Sequence, residues 1–280
     1  MKKLSKIALL VTSMAALYTG SAFAAPFTAG DLLVSFRATG GQGGDQTYTL
    51  NLGNAALSYR DATSNFTVSN IGLDLTSTFG ANWATRSDIF WGISGVQNNA
   101  SPVPVAPPAV NGDPTRTLYV SQDQTTLNTQ SDTPTVASST IQGSAATNMV
   151  SFQNAFAAAT ASLNNANGAV IPTSASNDYA QFQTGSSSFG STFGYNGIEG
   201  SAALGVVSTA LDLYRILNST RTGTYEGTFT IDALGNVAFR TTAAPEAPAV
   251  PEPVSTGILT SCAFLGLVSL GRRKKNLIAA

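Results

Sequence analysis

The stretch Asp31-Leu32-Leu33-Val34-Ser35-Phe36-Arg37-Ala38 sets the fold class. Leu32, Val34, Phe36 and Ala38 share one face, with Asp31, Ser35 and Arg37 on the other. That is the period of two of a β-strand, not the 3.6-residue period of a helix. A second run follows at 47–52, where Tyr48, Leu50 and Leu52 alternate with Thr47, Thr49 and Asn51. Gly40-Gly41-Gln42-Gly43-Gly44 lies between the two, so the pair reads as a hairpin with a longer loop. The pattern returns far along the chain. Tyr225, Phe229 and Ile231 alternate with Glu226, Thr228, Thr230 and Asp232, a turn follows at 233–236, and Val237 and Phe239 come back.

Between these hairpins, residues 88–95 and 117–121 read as strands, and residues 73–84 hold a short helix before Arg86. Residues 101–114 contain five prolines and read as a loop. Residues 207–217 fit either period. One segment breaks the β pattern: Met149, Phe152, Phe156, Ala159 and Leu163 recur at spacings of 3, 4, 3 and 4. This is an amphipathic helix, with Ser144 or Thr147 as its cap and Asn167-Gly168 and Pro172 beyond its end. The expected fold is mainly β, an antiparallel β-sandwich-like domain with one amphipathic helix.

Composition narrows the chemistry. The chain has 280 residues, of which 43% are hydrophobic and only 10% charged, with no histidine and one cysteine. A Ser-His-Asp triad, a histidine-bound metal, a zinc–cysteine cluster and a disulfide scaffold are all excluded. Residues 25–242 also lack lysine, which removes Schiff-base and Ser-Lys chemistry. Carboxylates remain, but nothing in their spacing selects the pair that a glycan hydrolase would need. No enzymatic activity, cofactor or metal is therefore expected. Gly40-Gly41-Gln42-Gly43-Gly44 has no following Lys-Ser, so it is read as a hairpin loop and not as a phosphate cradle. Asp232 to Asn236 is read as a turn before a calcium loop, because no Asp-x-Asp-x-Asp-Gly pattern exists. Trp83, flanked by Asn82 and Arg86, is the candidate for stacking on a sugar ring. Trp91 is assigned to the core beside Phe90 and Ile93.

The two ends carry a different kind of signal. Residues 1–24 read as a signal peptide: Lys2, Lys3 and Lys6, then an apolar stretch at 7–18, then Ala22 and Ala24 placed for cleavage before Ala25. Export through a translocon and removal by signal peptidase follow from that reading. Residues 25–242 would then form the mainly-β extracellular domain, and residues 243–253 (AAPEAPAVPEP) a semi-rigid linker. Residues 254–271 read as a transmembrane helix whose first seventeen residues (VSTGILTSCAFLGLVSL) carry no charge. The sole cysteine, Cys262, lies inside it. Arg272, Arg273, Lys274 and Lys275 stop the span, and residues 272–280 form a basic cytoplasmic tail.

Val250-Pro251-Glu252-Pro253, the uncharged span and the basic cluster, in that order, closely resemble the PEP-CTERM sorting signal of exported proteins in exopolysaccharide-producing Gram-negative bacteria. The resemblance covers about a tenth of the chain and leaves residues 25–242 undescribed. It implies recognition of Pro251-Glu252-Pro253 by an exosortase, a membrane-embedded cysteine transpeptidase. Cleavage near the motif would follow, after transient anchoring in the inner membrane with the body in the periplasm. The body would end at the cell surface or in the extracellular matrix. The expected role is structural or adhesive among exopolysaccharides. The alternatives are a carbohydrate-binding module with specific glycan recognition and, less favoured, a carboxylate-dependent glycan hydrolase.

Net charge fits this division. The whole chain sums to −1, but residues 25–253 hold seven arginines against fifteen acids, a balance of −8. A nucleic-acid partner is disfavoured by that sign.

Overall fold

The computed structural model describes residues 26–97, 113–162, 164–184, 198–204 and 210–241. The signal peptide, the linker, the span, the basic tail and nearly all of the proline loop lie outside these residues. Among the described residues no helix is long and apolar enough to cross a membrane.

The opening hairpin forms as the alternation dictates. Strands β1 (Asp31–Ala38) and β2 (Gln46–Asn54) pair antiparallel, with Phe36 opposite Tyr48 and Val34 opposite Leu50. The glycine loop between them is pinned from outside. Arg86 donates to the carbonyls of Gly40 (2.7 Å), Gln42 (2.8 Å) and Phe79 (2.6 Å), while Asp88 holds the same guanidinium at 2.7 Å. Gly43 has φ +77°, and a Cβ there would sit 2.6 Å from Phe79 and from the Thr78 carbonyl. Only glycine meets both demands.

The remaining strands are β3 (Phe66–Asn70), β4 (Ile89–Gln97), β5 (Thr117–Asp123), β6 (Gly168–Pro172), β7 (Glu199–Ser201), β8 (Ala210–Ile216), β9 (Gly223–Ile231) and β10 (Asn236–Arg240). All pair antiparallel in one sheet ordered β3-β10-β9-β8-β5-β4-β1-β2-β6, with β7 attached to β4. The domain is mainly β, as expected, but its strands form one curled sheet and not two stacked sheets. The second hairpin, β9–β10, turns at Asp232, whose Oδ1 accepts from the N–H groups of Leu234 and Asn236, both at 2.9 Å.

The curl follows from where the apolar side chains point. One core gathers Leu32, Val34 and Phe36 from β1, Tyr48 and Leu50 from β2, and Trp91 and Ile93 from β4. It also takes Leu211 and Leu213 from β8, Phe229 from β9 and Phe239 from β10. Strands from the whole width of the sheet thus share one interior, which a right-twisted sheet reaches by coiling on itself. Two short helices close it, α1 (Ala55–Ser58) and α2 (Gly72–Phe79), followed by a 3-10 turn at Trp83–Thr85. Leu75 and Phe79 of α2 reach the interior, in the segment where a short helix is expected.

The outer face is also buried. Helix α3 (Ser139–Ala158) lays Met149, Phe152 and Phe156 onto Leu118 and Val120 of β5 and Tyr214 and Ile216 of β8, and α4 (Tyr179–Thr184) joins it. The helical face is the expected one, but the boundaries differ. Ser138 caps the start by accepting from the Ile141 N–H at 3.2 Å, and the chain leaves the helix at Ala159. The first turns are built from small residues such as Ala145 and Ala146, which leave little hydrophobic period to read. Ser144 and Thr147 sit inside the helix and bond back to the carbonyls of Thr140 and Gly143. The polar face of β1 is therefore not solvated: Ser35 bonds Thr49 at 3.0 Å, and Arg37 bonds Glu199.

Candidate functional site

Trp83 does not offer a ring to a ligand. It is 2% exposed and belongs to the interior core with Phe79 and Trp91. Its segment is short and apolar at Trp83 and Ala84, so the indole turns in while Asn82 is exposed and Arg86 reaches across to the glycine loop. The sugar-stacking assignment at Trp83 is corrected accordingly. Tyr59 and Tyr119 are equally buried. Ala22, Ala24, Ala25, Val250, Pro251, Glu252, Pro253, Arg272, Arg273, Lys274 and Lys275 lie outside the described residues.

Three carboxylate settings bear on a candidate site. Asp74 is buried and saturated: it accepts from Tyr48 Oη at 2.9 Å, from Asn164 Nδ2 at 3.0 Å and from the Ser162 hydroxyl. Burial beside that carboxylate pushes the Tyr48 phenol far above its ordinary range. Asp212 is likewise filled, by Gln124 Nε2 (2.8 Å), Thr228 Oγ1 (2.6 Å) and the Ser131 N–H (2.6 Å). These two carboxylates tie loops to strands.

A second setting brings two acids together. Arg215 on β8 contacts Asp113 Oδ1 at 3.3 Å and Glu226 Oε1 at 3.0 Å, and Arg60 reaches Asp113 Oδ1 at 2.8 Å. Tyr119 donates to the other Asp113 oxygen at 2.6 Å. Burial raises the Glu226 carboxyl above its usual range, with Arg215 opposing the shift. A hydrolytic pair needs two carboxyl groups facing a substrate across a cleft. Here both are nearly inaccessible, at 1% and 3% side-chain exposure, and turned onto arginine. This cluster locks the segment before β5 and the loop after α1 onto the sheet.

The third setting is open. Asp31, at the start of β1, borders a cleft of about 390 Å³. Its walls come from the segment Pro26-Phe27-Thr28, from Leu50, Asn51, Leu52 and Gly53 on β2, from Val68 and Ser69 on β3, and from Asn165 and Asn167 before β6. β3 is one end of the sheet order and β6 the other, so the cleft occupies the gap where the curled sheet fails to close. Asn51 braces it, donating through Nδ2 to the Pro26 carbonyl and to Asp31 Oδ2, both at 2.8 Å, and accepting from the Gly53 N–H. Asp31 Oδ2 also accepts from the Thr28 N–H at 2.8 Å. Asp31 is 6% exposed, and its Oδ1 takes no hydrogen bond from the described residues. Burial raises the Asp31 carboxyl above its usual range, against the bonds from Asn51 and Thr28.

No family model, curated protein or solved structure matches the chain. The cleft's chemistry therefore rests on its own residues. One carboxylate, three carboxamides and two hydroxyl side chains surround a partly apolar floor, an arrangement that orients a small polar ligand by hydrogen bonds. These residues come from segments up to 141 positions apart, between Pro26 and Asn167. Single-segment patterns do not reveal them.

Proposed function

We propose that the chain is an exported surface or biofilm-matrix protein, processed by an exosortase and acting structurally or adhesively among exopolysaccharides. The observation that carries this reading is the ordered ending: Pro251-Glu252-Pro253, an uncharged stretch of membrane-spanning length, then Arg272-Arg273-Lys274-Lys275. The apolar amino-terminal stretch with its alanine cleavage pattern supports the same route. In this reading the folded β domain is cargo, and it is not an enzyme. Residues 25–242 hold seven arginines against thirteen acids, and this balance of −6 keeps the domain soluble and disfavours anionic partners.

A carbohydrate-binding module is the second reading, and the open cleft beside Asp31 is what favours it.

The test is fractionation of producing cells carrying the chain with a tag inside the domain and another at the C-terminus. Replacing Pro251, Glu252 and Pro253 by alanine should leave both tags together at the inner membrane, while the unaltered chain sheds its C-terminal tag. A body that stays in the cytoplasm, or one whose processing ignores the replacement, overturns the proposal.

A further inference from the structure

The cleft beside Asp31 has a specific set of unused groups. Asp31 Oδ1 is an acceptor without a partner among the described residues, and Asn51 positions this carboxylate by holding its other oxygen. The Asn167 carboxamide and Asn165 Nδ2 have no partner among the described residues, because Asn167 meets Asn51 through its backbone carbonyl and Asn165 uses only Oδ1, toward the Asn167 N–H. The Ser69 hydroxyl on the facing strand is equally unpaired among them. No arginine or lysine is present in the lining.

We propose that this cleft binds a neutral sugar residue, with Asp31 Oδ1, Asn165, Asn167 and Ser69 sharing hydrogen bonds with its hydroxyls and Phe27 meeting its C–H face. Three features select that class. A sugar hydroxyl donates and accepts at once, which matches a carboxylate acceptor beside carboxamides that do both. An anionic ligand, such as a uronate, would face Asp31 with no cation to offset the repulsion. A wholly apolar ligand would strip water from Asp31 and the amides without replacing their hydrogen bonds. The volume of about 390 Å³ falls at the low end of small-molecule sites, roughly 300–1,000 Å³. Phe156 of α3 braces Phe27 by packing edge-on to it, with centroids 6.5 Å apart.

The choice of a saccharide over other neutral polyols rests on the proposed matrix role. The binding itself is tested without it. The full chain, purified in a zwitterionic detergent free of sugar headgroups, is titrated calorimetrically with maltotetraose, cellotetraose and mannotetraose, and with tetraguluronate as the charged comparison. At least one neutral tetrasaccharide should saturate the protein, and tetraguluronate should bind more weakly. Asn167→Ala, which removes an exposed side chain and leaves its backbone pairing, should weaken binding about tenfold, the scale of one or two lost hydrogen bonds. Asp31→Asn should do the same. Thermal unfolding of Asn167→Ala should match the parent chain, so that a folding defect at Asp31 cannot decide the matter. Absence of saturation by all three neutral sugars overturns the proposal, as does unchanged affinity in Asn167→Ala or tighter binding of the uronate. Failure here leaves the export reading standing, because that reading is decided by where the chain is found and cut.

Discussion

Arg37 and Glu199 stand 162 residues apart in the chain and meet as a two-point ion pair, Nε to Oε1 at 2.8 Å and Nη2 to Oε2 at 2.6 Å. The pair joins β1 to the short strand β7, and the guanidinium also lies 5.3 Å from the Phe90 ring centroid. β7 has only three residues, so backbone pairing alone gives it little hold. Side-chain exposure of 14% and 10% places the pair between surface and core. Glu199→Ala strands the arginine and should cost about 2–3 kcal/mol, as expected for a charge-assisted hydrogen bond. Replacing both residues by methionine should recover much of that loss, because the cost comes from the unpaired charge. Equilibrium denaturation of residues 25–242 measures both.

Glu226 gives a pH-dependent prediction. Burial raises its folded-state pKa above the ordinary 4.5, with Arg215 opposing. A raised carboxyl favours the folded state while protonated, and that contribution is lost as pH rises from about 4.5 through the folded-state value. Relative to Glu226→Gln, the parent domain should therefore lose stability as pH rises through this window. A difference that is flat with pH would contradict the burial account.

Asp88 runs the other way. The hydrogen bond from Arg86 holds its carboxyl below the ordinary 3.8. Its stabilising contribution is present above that value and fades as pH falls through the lower folded-state pKa. Arg86→Ala should abolish this acid-side dependence. It should also cost about 1–3 kcal/mol by leaving the carbonyls around Gly40 and Phe79 unpaired. Melting curves taken between neutral and acid pH check both parts.

Trp83→Ala should act on stability before anything else, costing about 3–5 kcal/mol as a large-to-small change in a core. Loss of ligand binding in that variant would report unfolding, so binding is to be probed at Asn167. Gly43→Ala should cost about 1–3 kcal/mol, because its φ of +77° and the nearby Phe79 ring both oppose a Cβ.

Local pattern carried the sequence reading as far as local physics reaches. β1 with β2 and β9 with β10 were legible because alternating side chains and short turns are determined within each hairpin. The single curled sheet was not, since alternation shows that one face is apolar without saying which strands share an interior. The alternation likewise left the partners of Ser35 and Arg37 unread, because Thr49 and Glu199 are invisible to a local window. Trp83 was misjudged from its polar neighbours, although a 3-10 turn can send adjacent side chains in opposite directions. The Asp31 cleft was illegible because its walls meet only where the two ends of the sheet approach. The terminal patterns were legible because each is written in contiguous residues, Lys2 to Ala25 and Val250 to Lys275.

The central claim, export followed by processing at Pro251-Glu252-Pro253, is tested most directly by the intact mass and terminal peptides of the chain recovered from the cell surface or medium. The account predicts a chain that begins at Ala25 and has lost residues 254–280, with its new C-terminus at or near the Pro-Glu-Pro motif. A recovered chain that still carries Arg272-Arg273-Lys274-Lys275, or one found only in the cytoplasm with Met1 to Ala24 attached, would contradict it.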